Sequence, residues 1–383
     1  MSAKLEIATG VAHSRETLAA IITEYFDSML VEHQLLFGGY SGTNYMVRLA
    51  NDSVYVLKIT DGYSKDHAEL MCSTAYHLKI CGYKDCIWPV EKKTESEEKY
   101  KFVSLKEPNG EPAFVLTFAS GKQADKVIRE HPNLAATVMK GIGGGLSRMH
   151  LAASGISNEK EATELGLRWY QTSGGCCDVQ DHVDGKVMAK IQSCPAPERK
   201  SSFLSFYQPE LKALVEEMAL ATEGKLLHGI THGDPFADNV LVNENNGALS
   251  AFIDIEDVCV GPLLFDLACC AIGCCFQEAR EGSKHPQMIN FDLFHSLLLG
   301  YCEDRMLSDL EKGHLVPFMK LALLCNCSWR FVKFNVPSVN GLSDIPEEAK
   351  LSYLELQHRI EYLNDEEVIT ELNEQLNNIM CKL

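Results

Sequence analysis

Positive charge is scarce in this chain: 35 lysines and arginines face 53 aspartates and glutamates, a formal net charge of −18. So acidic a chain repels polyanions and anionic lipid surfaces, so neither a nucleic-acid nor a membrane partner is expected. Long hydrophobic runs are also lacking. The longest, Leu263 to Phe276, is broken by Asp266 and Gly273 and falls short of the roughly 20 residues of a membrane span. The opening MSAKLEIATGVAHSRETL has no continuous apolar core, so no secretory signal is expected. There is no internal repeat and no CxxC…CxxC spacing. The fifteen cysteines, including Cys269-Cys270, Cys274-Cys275, Cys325 and Cys327, lie largely in apolar sequence. They are expected as small buried hydrophobes, with free thiols in a reducing, cytoplasmic compartment.

What is present is ordinary for a globular protein. With 383 residues, 46% hydrophobic and 23% charged, disorder, collagen and coiled coil are excluded. Two or three folding units, or one bilobal body, remain. The hydrophobic period divides the chain. Residues 1–30 form a lead whose helix follows Ser14, a candidate cap. Residues 31–121 are strand-rich, with strands at Leu35–Gly39, Tyr45–Leu49, Val54–Ile59, Ile87–Val90, Lys101–Leu105 and Ala113–Phe118, and one helix over 64–81. Residues 122–383 are mostly helical, over 132–153, 201–222, 261–281, 288–305, 309–332 and 346–381. Short strands at Val240–Val242 and Ala251–Asp254 interrupt them, and 172–200 reads as a loop or exposed insertion. The glycine cluster Gly141–Gly145 falls inside a helix and predicts close helix packing, not a nucleotide loop.

The chemistry concentrates in His232-Gly-Asp234-Pro-Phe-Ala-Asp238-Asn239, a strand, a turn over Glu244–Gly247, a second strand and Asp254. Phosphoryl transfer needs a carboxylate to take the acceptor's proton and hard oxygen ligands to hold Mg²⁺ against ATP. Asp234 is the expected base, and Asn239 and Asp254 the expected metal ligands. The Asn-Gly turn closes a hairpin that brings the latter two together. A lone Asp near a turn is ordinarily a cap; the set at this spacing is what points to chemistry. Lys58, ending an apolar strand, is the expected grip on the phosphates. Glu69 on the following helix is its expected partner, with Asp66 the weaker candidate. The turn Phe37–Asn44 supplies Gly39, Ser41, Gly42 and Asn44 as a phosphate cover, although a full GxGxxG is missing.

These residues, with Ile253-Asp254-x-Glu256 and Gly261-Pro-x-x-x-Asp266-Leu-Ala268, resemble the aminoglycoside phosphotransferase/choline kinase superfamily. Leu146–Ala152, Gly166–Trp169 and Asp257–Ala268 are most similar to its type II homoserine kinase group. The resemblance covers about residues 30–335. It implies an α+β, bilobal protein-kinase-like fold, with a small antiparallel β-sheet N-lobe and a larger, mostly helical C-lobe. It also implies ATP and Mg²⁺ as cofactors and a small hydroxyl acceptor as partner. Adenine contacts are implied near Thr117–Gly121 (Thr117 and Ala119), with His232 and Asp266 structural. Pro235 and Ile255 depart from the leucine and aromatic expected at their positions, which leaves the acceptor open.

An amino-containing acceptor wants a carboxylate for its ammonium and, if it is an amino acid, a cation for its carboxylate. Asp238, Asp257, Trp169 and Arg330 are the candidates, with His150 and Trp329 behind them. Homoserine is the first acceptor; choline or ethanolamine, hydroxylysine and an aminoglycoside are alternatives. A nucleotide-binding pseudokinase scaffold is the reading from another class, opposed by the complete catalytic set. A metal-dependent hydrolase on His232 and Asp234 would need further histidine ligands nearby. The sequence says nothing of oligomeric state.

Overall fold

The computed structural model describes residues 13–36, 42–60, 63–93, 99–104, 111–170, 179–223, 225–337 and 345–380. Helix α1 (Arg15–Tyr25) starts where Ser14 Oγ accepts the Thr17 N–H at 3.2 Å. Strands β1 (Leu30–Leu36), β2 (Gly42–Leu49) and β3 (Val54–Thr60) precede helix α2 (Lys65–Ile80) and strand β4 (Ala113–Thr117). They form one antiparallel sheet in the order β1-β2-β3-β4.

Alternation gives the sheet two faces. Tyr45, Val47, Leu49, Leu57, Ile59, Ala113 and Val115 point one way and close a core with Leu18, Ile21, Ile22 and Tyr25 of α1. Burying each aliphatic side chain of α1 stabilises this packing by about 1.5–3 kcal/mol. The helix expected as a lead is therefore the outer cover of the sheet, and β1 begins at Leu30, inside the stretch assigned to that lead. Phe114 and Leu116 point the other way and join the larger core of the second region. Lys58 lies on their face, directly opposite Asn44 on β2 and Phe114 on β4.

The strands expected at 87–90 and 101–105 reduce to single bridges, Pro89 to Leu116 and Ser104 to Ala113. Pro89 has no N–H to extend a ladder.

The helical region opens with β5 (Lys122–Gln123), α3 (Ala124–Glu130) and α4 (Ala135–Ala152). There follow α5 (Glu159–Glu164), α6 (Val179–Val183), α7 (Lys186–Gln192), α8 (Pro197–Ala213) and α9 (Val215–Thr222). The described part of the supposed 172–200 loop thus contains short helices. Then come β6 (His228–Thr231), β7 (Val240–Val242), β8 (Leu249–Phe252) and β9 (Cys259–Pro262). They pair as a β5-β7-β8 sheet and a separate β6-β9 ladder. The predicted helix over 261–281 is shorter: α10 (Leu263–Cys274) gives way to a hairpin of β10 (Phe276–Glu278) and β11 (Gln287–Ile289). Helices α11 (Phe291–Asp304) and α12 (Asp309–Asn335) follow, then α13 (Glu347–Leu351), α14 (Tyr353–Leu363) and α15 (Glu366–Met380). Among the described residues, α12 is the one helix long and apolar enough to cross a membrane, but 67% of its apolar window is buried in this core.

The glycine cluster does what its helical context predicts. A Cβ on Gly143 of α4 would meet the Leu297 carbonyl oxygen of α11 at 2.0 Å, and one on Gly300 would meet the Lys140 carbonyl oxygen at 2.0 Å. Backbone cannot yield as a side chain does, so the helices must separate. Gly143→Ala is expected to cost about 3 kcal/mol, read as a lowered denaturation midpoint in urea. An unchanged midpoint would show that α4 and α11 do not pack as described.

Of the described cysteines, Cys81 is exposed and the others are buried, Cys269, Cys270, Cys274 and Cys275 among them. Cys270 and Cys274 approach at 3.9 Å as thiols along one helix face.

Candidate active site

The loop after β6 is held from below by one carboxylate. Asp266, fully buried on α10, accepts the backbone N–H groups of His232 and Gly233, both at 2.9 Å. It also meets His150 Nε2 at 2.9 Å. Burial alone would raise the Asp266 pKa, but the bond from His150 and the His232 donors hold it below the usual carboxylate range. Burial pushes His150 down, so its ring is neutral, donating from Nε2 and accepting at Nδ1 from the Tyr301 hydroxyl at 2.7 Å. Arg305 Nη1 donates to that same oxygen at 3.0 Å and pairs with Glu311. The loop after β6 is thus tied through buried polar groups to α4, α11 and α12.

Gly233 has φ +84°, and a Cβ there would meet the Asp257 carbonyl oxygen at 2.4 Å, so the turn requires glycine. His232 Nε2 donates to the Ile253 carbonyl at 2.9 Å, and its Nδ1 receives the Asp234 N–H at 3.3 Å. The Ile253 N–H in turn reaches the Asn239 carbonyl at 2.8 Å. His232 thereby stitches the two halves of the site together.

Asp234 emerges half-buried from this loop. Asn239 Nδ2 donates to its Oδ2 at 2.8 Å and to its backbone carbonyl at 3.0 Å. Both amide protons are thus spent on Asp234, and the amide oxygen is the atom Asn239 can offer a cation. The β7-β8 hairpin aligns Val240 with Phe252, and Asp254 follows in the left-handed region at φ 63°. Its side chain keeps 38% exposure.

Burial raises the Asp234 pKa well above its ordinary value, reinforced by the charges of Asp257, Asp238 and Asp254 and opposed by the Asn239 bond. Asp257 is raised as well, first by burial, while Arg168 pulls it down. So many carboxylates in one cleft call for a cation beyond Lys58. Asp254 and Asn239 supply the hard oxygen donors a Mg²⁺ ion takes, so the donor set fits the implied metal.

Lys58, 5% exposed, reaches Asp254 Oδ1 at 3.2 Å and pairs with Glu256.

The model of the phosphotransferase enzyme family matches residues 33–282. The chain belongs to that family. Curated relatives include the homoserine kinase of Methylocella silvestris, 26% identical over 343 residues, spanning 88% of this chain and 93% of that protein. The homoserine kinase of Bradyrhizobium diazoefficiens is 24% identical, over 78% of this chain and 79% of its own. Amicoumacin kinase in complex with AMP-PNP, Ca²⁺ and Ami superposes with a TM-score of 0.62 at 13% identity, covering 91% of this chain and 93% of that one. The choline kinase of Cryptosporidium parvum superposes at 0.55 and 13%, covering 95% and 99%. These solved structures show the bilobal, kinase-like fold.

In this phosphotransferase several predicted residues take other places. Glu69 does not pair with Lys58. Its carboxylate accepts the backbone N–H groups of Lys101 at 2.6 Å, Phe102 at 3.0 Å and Val103 at 3.1 Å. Asp66 meets Lys99 at 2.7 Å on the surface. Trp169, expected at the acceptor, is buried and stacks on His228 at 5.5 Å and 10°. Arg330 pairs with Glu355 at 3.2 Å and joins α12 to α14. At the expected adenine edge, the Thr117 N–H goes to the Trp88 carbonyl at 2.8 Å, and its hydroxyl accepts the Trp88 N–H at 2.8 Å. The Thr117 amide is therefore committed, while Ala119 follows β4, partly buried against the core. Gly42 and Asn44 lie on β2; Gly39 and Ser41 lie outside the described residues. The side chain without an assigned role in the sequence is Glu256. Its one signal was its place two residues after Asp254.

Proposed function

We propose that this phosphotransferase transfers the γ-phosphate of ATP to the hydroxyl of a small amino-containing acceptor, homoserine first, with Mg²⁺ as the metal. The observation that carries the reading is the constellation of Asp234, Asn239, Asp254 and Lys58 in one cleft. The near full-length likeness to homoserine kinases supports the acceptor.

In this reading Asp234 accepts the acceptor's hydroxyl proton on a carboxylate oriented by Asn239. Its raised pKa improves the match between base and proton. Asn239 and Asp254 would hold the Mg²⁺, which when bound would neutralise charge at the phosphates. Lys58 adds a positive charge that the buried surroundings strengthen. Asp238 and Asp257 border Asp234 closely enough to act on its charge, and offer the acceptor's ammonium a counter-charge. The abundance of cysteines in apolar surroundings supports a reducing, cytoplasmic setting for this activity.

The test is ATP consumption with homoserine, choline, ethanolamine, hydroxylysine and an aminoglycoside, each with Mg²⁺. Homoserine is expected to give the highest kcat/KM. A different preferred acceptor corrects the substrate and leaves the reaction. Stimulation by none of them, with Mg·ATP still bound, replaces the enzyme with a nucleotide-binding scaffold.

A further inference from the structure

We infer that Glu256, not a glutamate on α2, positions Lys58 for nucleotide. The inference rests on the kinase reading above and names a residue which that reading does not use. The two side chains pair directly, and each is nearly sealed from solvent, Lys58 at 5% exposure and Glu256 at 6%. A buried ammonium is tolerated only with a counter-charge held against it. Asp254 is also within 3.2 Å, but it is the exposed member and the one whose oxygens a metal would take. Glu256 is the partner that remains to Lys58 when Asp254 turns to a cation.

Glu256 is itself fixed from several directions. It sits in the single 3-10 turn Ile255–Asp257, closed by the Val258 N–H to the Ile255 carbonyl at 3.3 Å. The buried Arg168 guanidinium donates to the Glu256 carbonyl, and the Arg168 N–H is anchored on Thr74 Oγ1 at 2.7 Å. The Tyr63 hydroxyl donates to the second carboxylate oxygen at 3.3 Å. Tyr63 stacks on His67 at the start of α2, with ring centroids 4.7 Å apart. Glu69, the α2 residue that could have competed, is spent on backbone N–H groups of residues 101–103.

The consequence is a change in what sets the lysine. Where the partner stands on a mobile helix, shifting that helix unmakes the phosphate grip. Here Lys58's counter-charge and the metal carboxylate Asp254 stand on the same short segment, two residues apart. Lys58 and Asp254 are thus set together by one segment, which α2 braces through Thr74 on Arg168 and His67 on Tyr63 without itself supplying the counter-charge.

A double-mutant cycle on nucleotide affinity tests this, with Mg·ATP binding measured by calorimetry and folding by thermal denaturation. Glu256→Gln is expected to weaken Mg·ATP binding about tenfold. In a Lys58→Met background the same change is expected to cost no further affinity, because the group it positions is gone. Glu69→Gln lowers the denaturation midpoint through the 101–103 segment, and its effect on affinity combines independently with Lys58→Met. If Glu256→Gln does not fold, Glu256→Asp keeps the charge, shortens the reach and is expected to weaken affinity with the same dependence on Lys58. Independent, multiplying effects of Glu256 and Lys58, or strong coupling of Lys58 to Glu69, overturn the inference and leave the kinase reading standing. A wild-type chain that binds no Mg·ATP overturns both, since Lys58 then has no phosphate to grip.

Discussion

Asp234→Asn lowers kcat for phosphoryl transfer by roughly 10²–10⁴-fold, the range a positioned general base supplies. The substitution is nearly isosteric, so the loop held by Asp266 is retained. What disappears is the ability to take the hydroxyl proton and the negative end of the Asn239 bond. KM for ATP is expected to move little, because the proposed nucleotide grip lies on Lys58, Asn239 and Asp254. Stability should hold or rise. Asp234 sits among Asp238, Asp254 and Asp257, whose charges raise its pKa after burial itself, and a neutral amide removes that repulsion. Loss of turnover at unchanged or higher denaturation midpoint is the signature of a group retained for chemistry at a cost in stability. Activity within threefold of wild type would remove Asp234 from the role of base.

The second large effect is on folding. Asp266→Ala orphans three buried donors at once: the N–H groups of His232 and Gly233, and His150 Nε2–H. Each costs about 1–3 kcal/mol when left without a partner. A sum near 4 kcal/mol or more is a large share of the stability of a typical domain, about 5–15 kcal/mol. The expected result is a denaturation midpoint lower by roughly 5 °C or more, or a chain that fails to accumulate in soluble form. Asp266→Asn is no rescue, because its amide donors would face donors already there. The carboxyl is held below its ordinary pKa, so its contribution is fully present above the unfolded value. It is lost as pH falls through the depressed one. A midpoint within 2 °C of wild type for Asp266→Ala would show that the loop is held by something else.

How far the sequence could be read depends on the distance over which each feature is decided. The proximity of Asp234, Asn239 and Asp254 was legible because a loop, a strand, an Asn-Gly turn and a second strand set their geometry locally. Lys58 was legible as a lone cation in an apolar strand. Its partner was not, since Glu256 is brought to it by the meeting of two regions remote in sequence. Trp169 and Arg330 were misread for the same reason: residue type suggested an amine or carboxylate site, while burial against His228 and the Glu355 pair decide what they do. The helix expected over 261–281 overran because the apolar stretch to Phe276 does not distinguish a helix from a short buried strand. The β6-β9 ladder is built of short segments, and neither carries a clear alternation.

The left-handed backbone of Asp254 limits what its position can become. At φ 63° a side chain other than Asp or Asn strains the turn by about 1–2 kcal/mol, and glycine adds slack. Alanine there would mix a backbone penalty with loss of the proposed metal-binding carboxylate; asparagine keeps the backbone and an oxygen donor and removes only the charge. The same restriction acts on descent. The substitution the turn admits most readily is Asp to Asn, which keeps the loop and strips its charge. A lineage carrying this fold thus stands one tolerated change from a protein that keeps the nucleotide cleft while its chemistry fades.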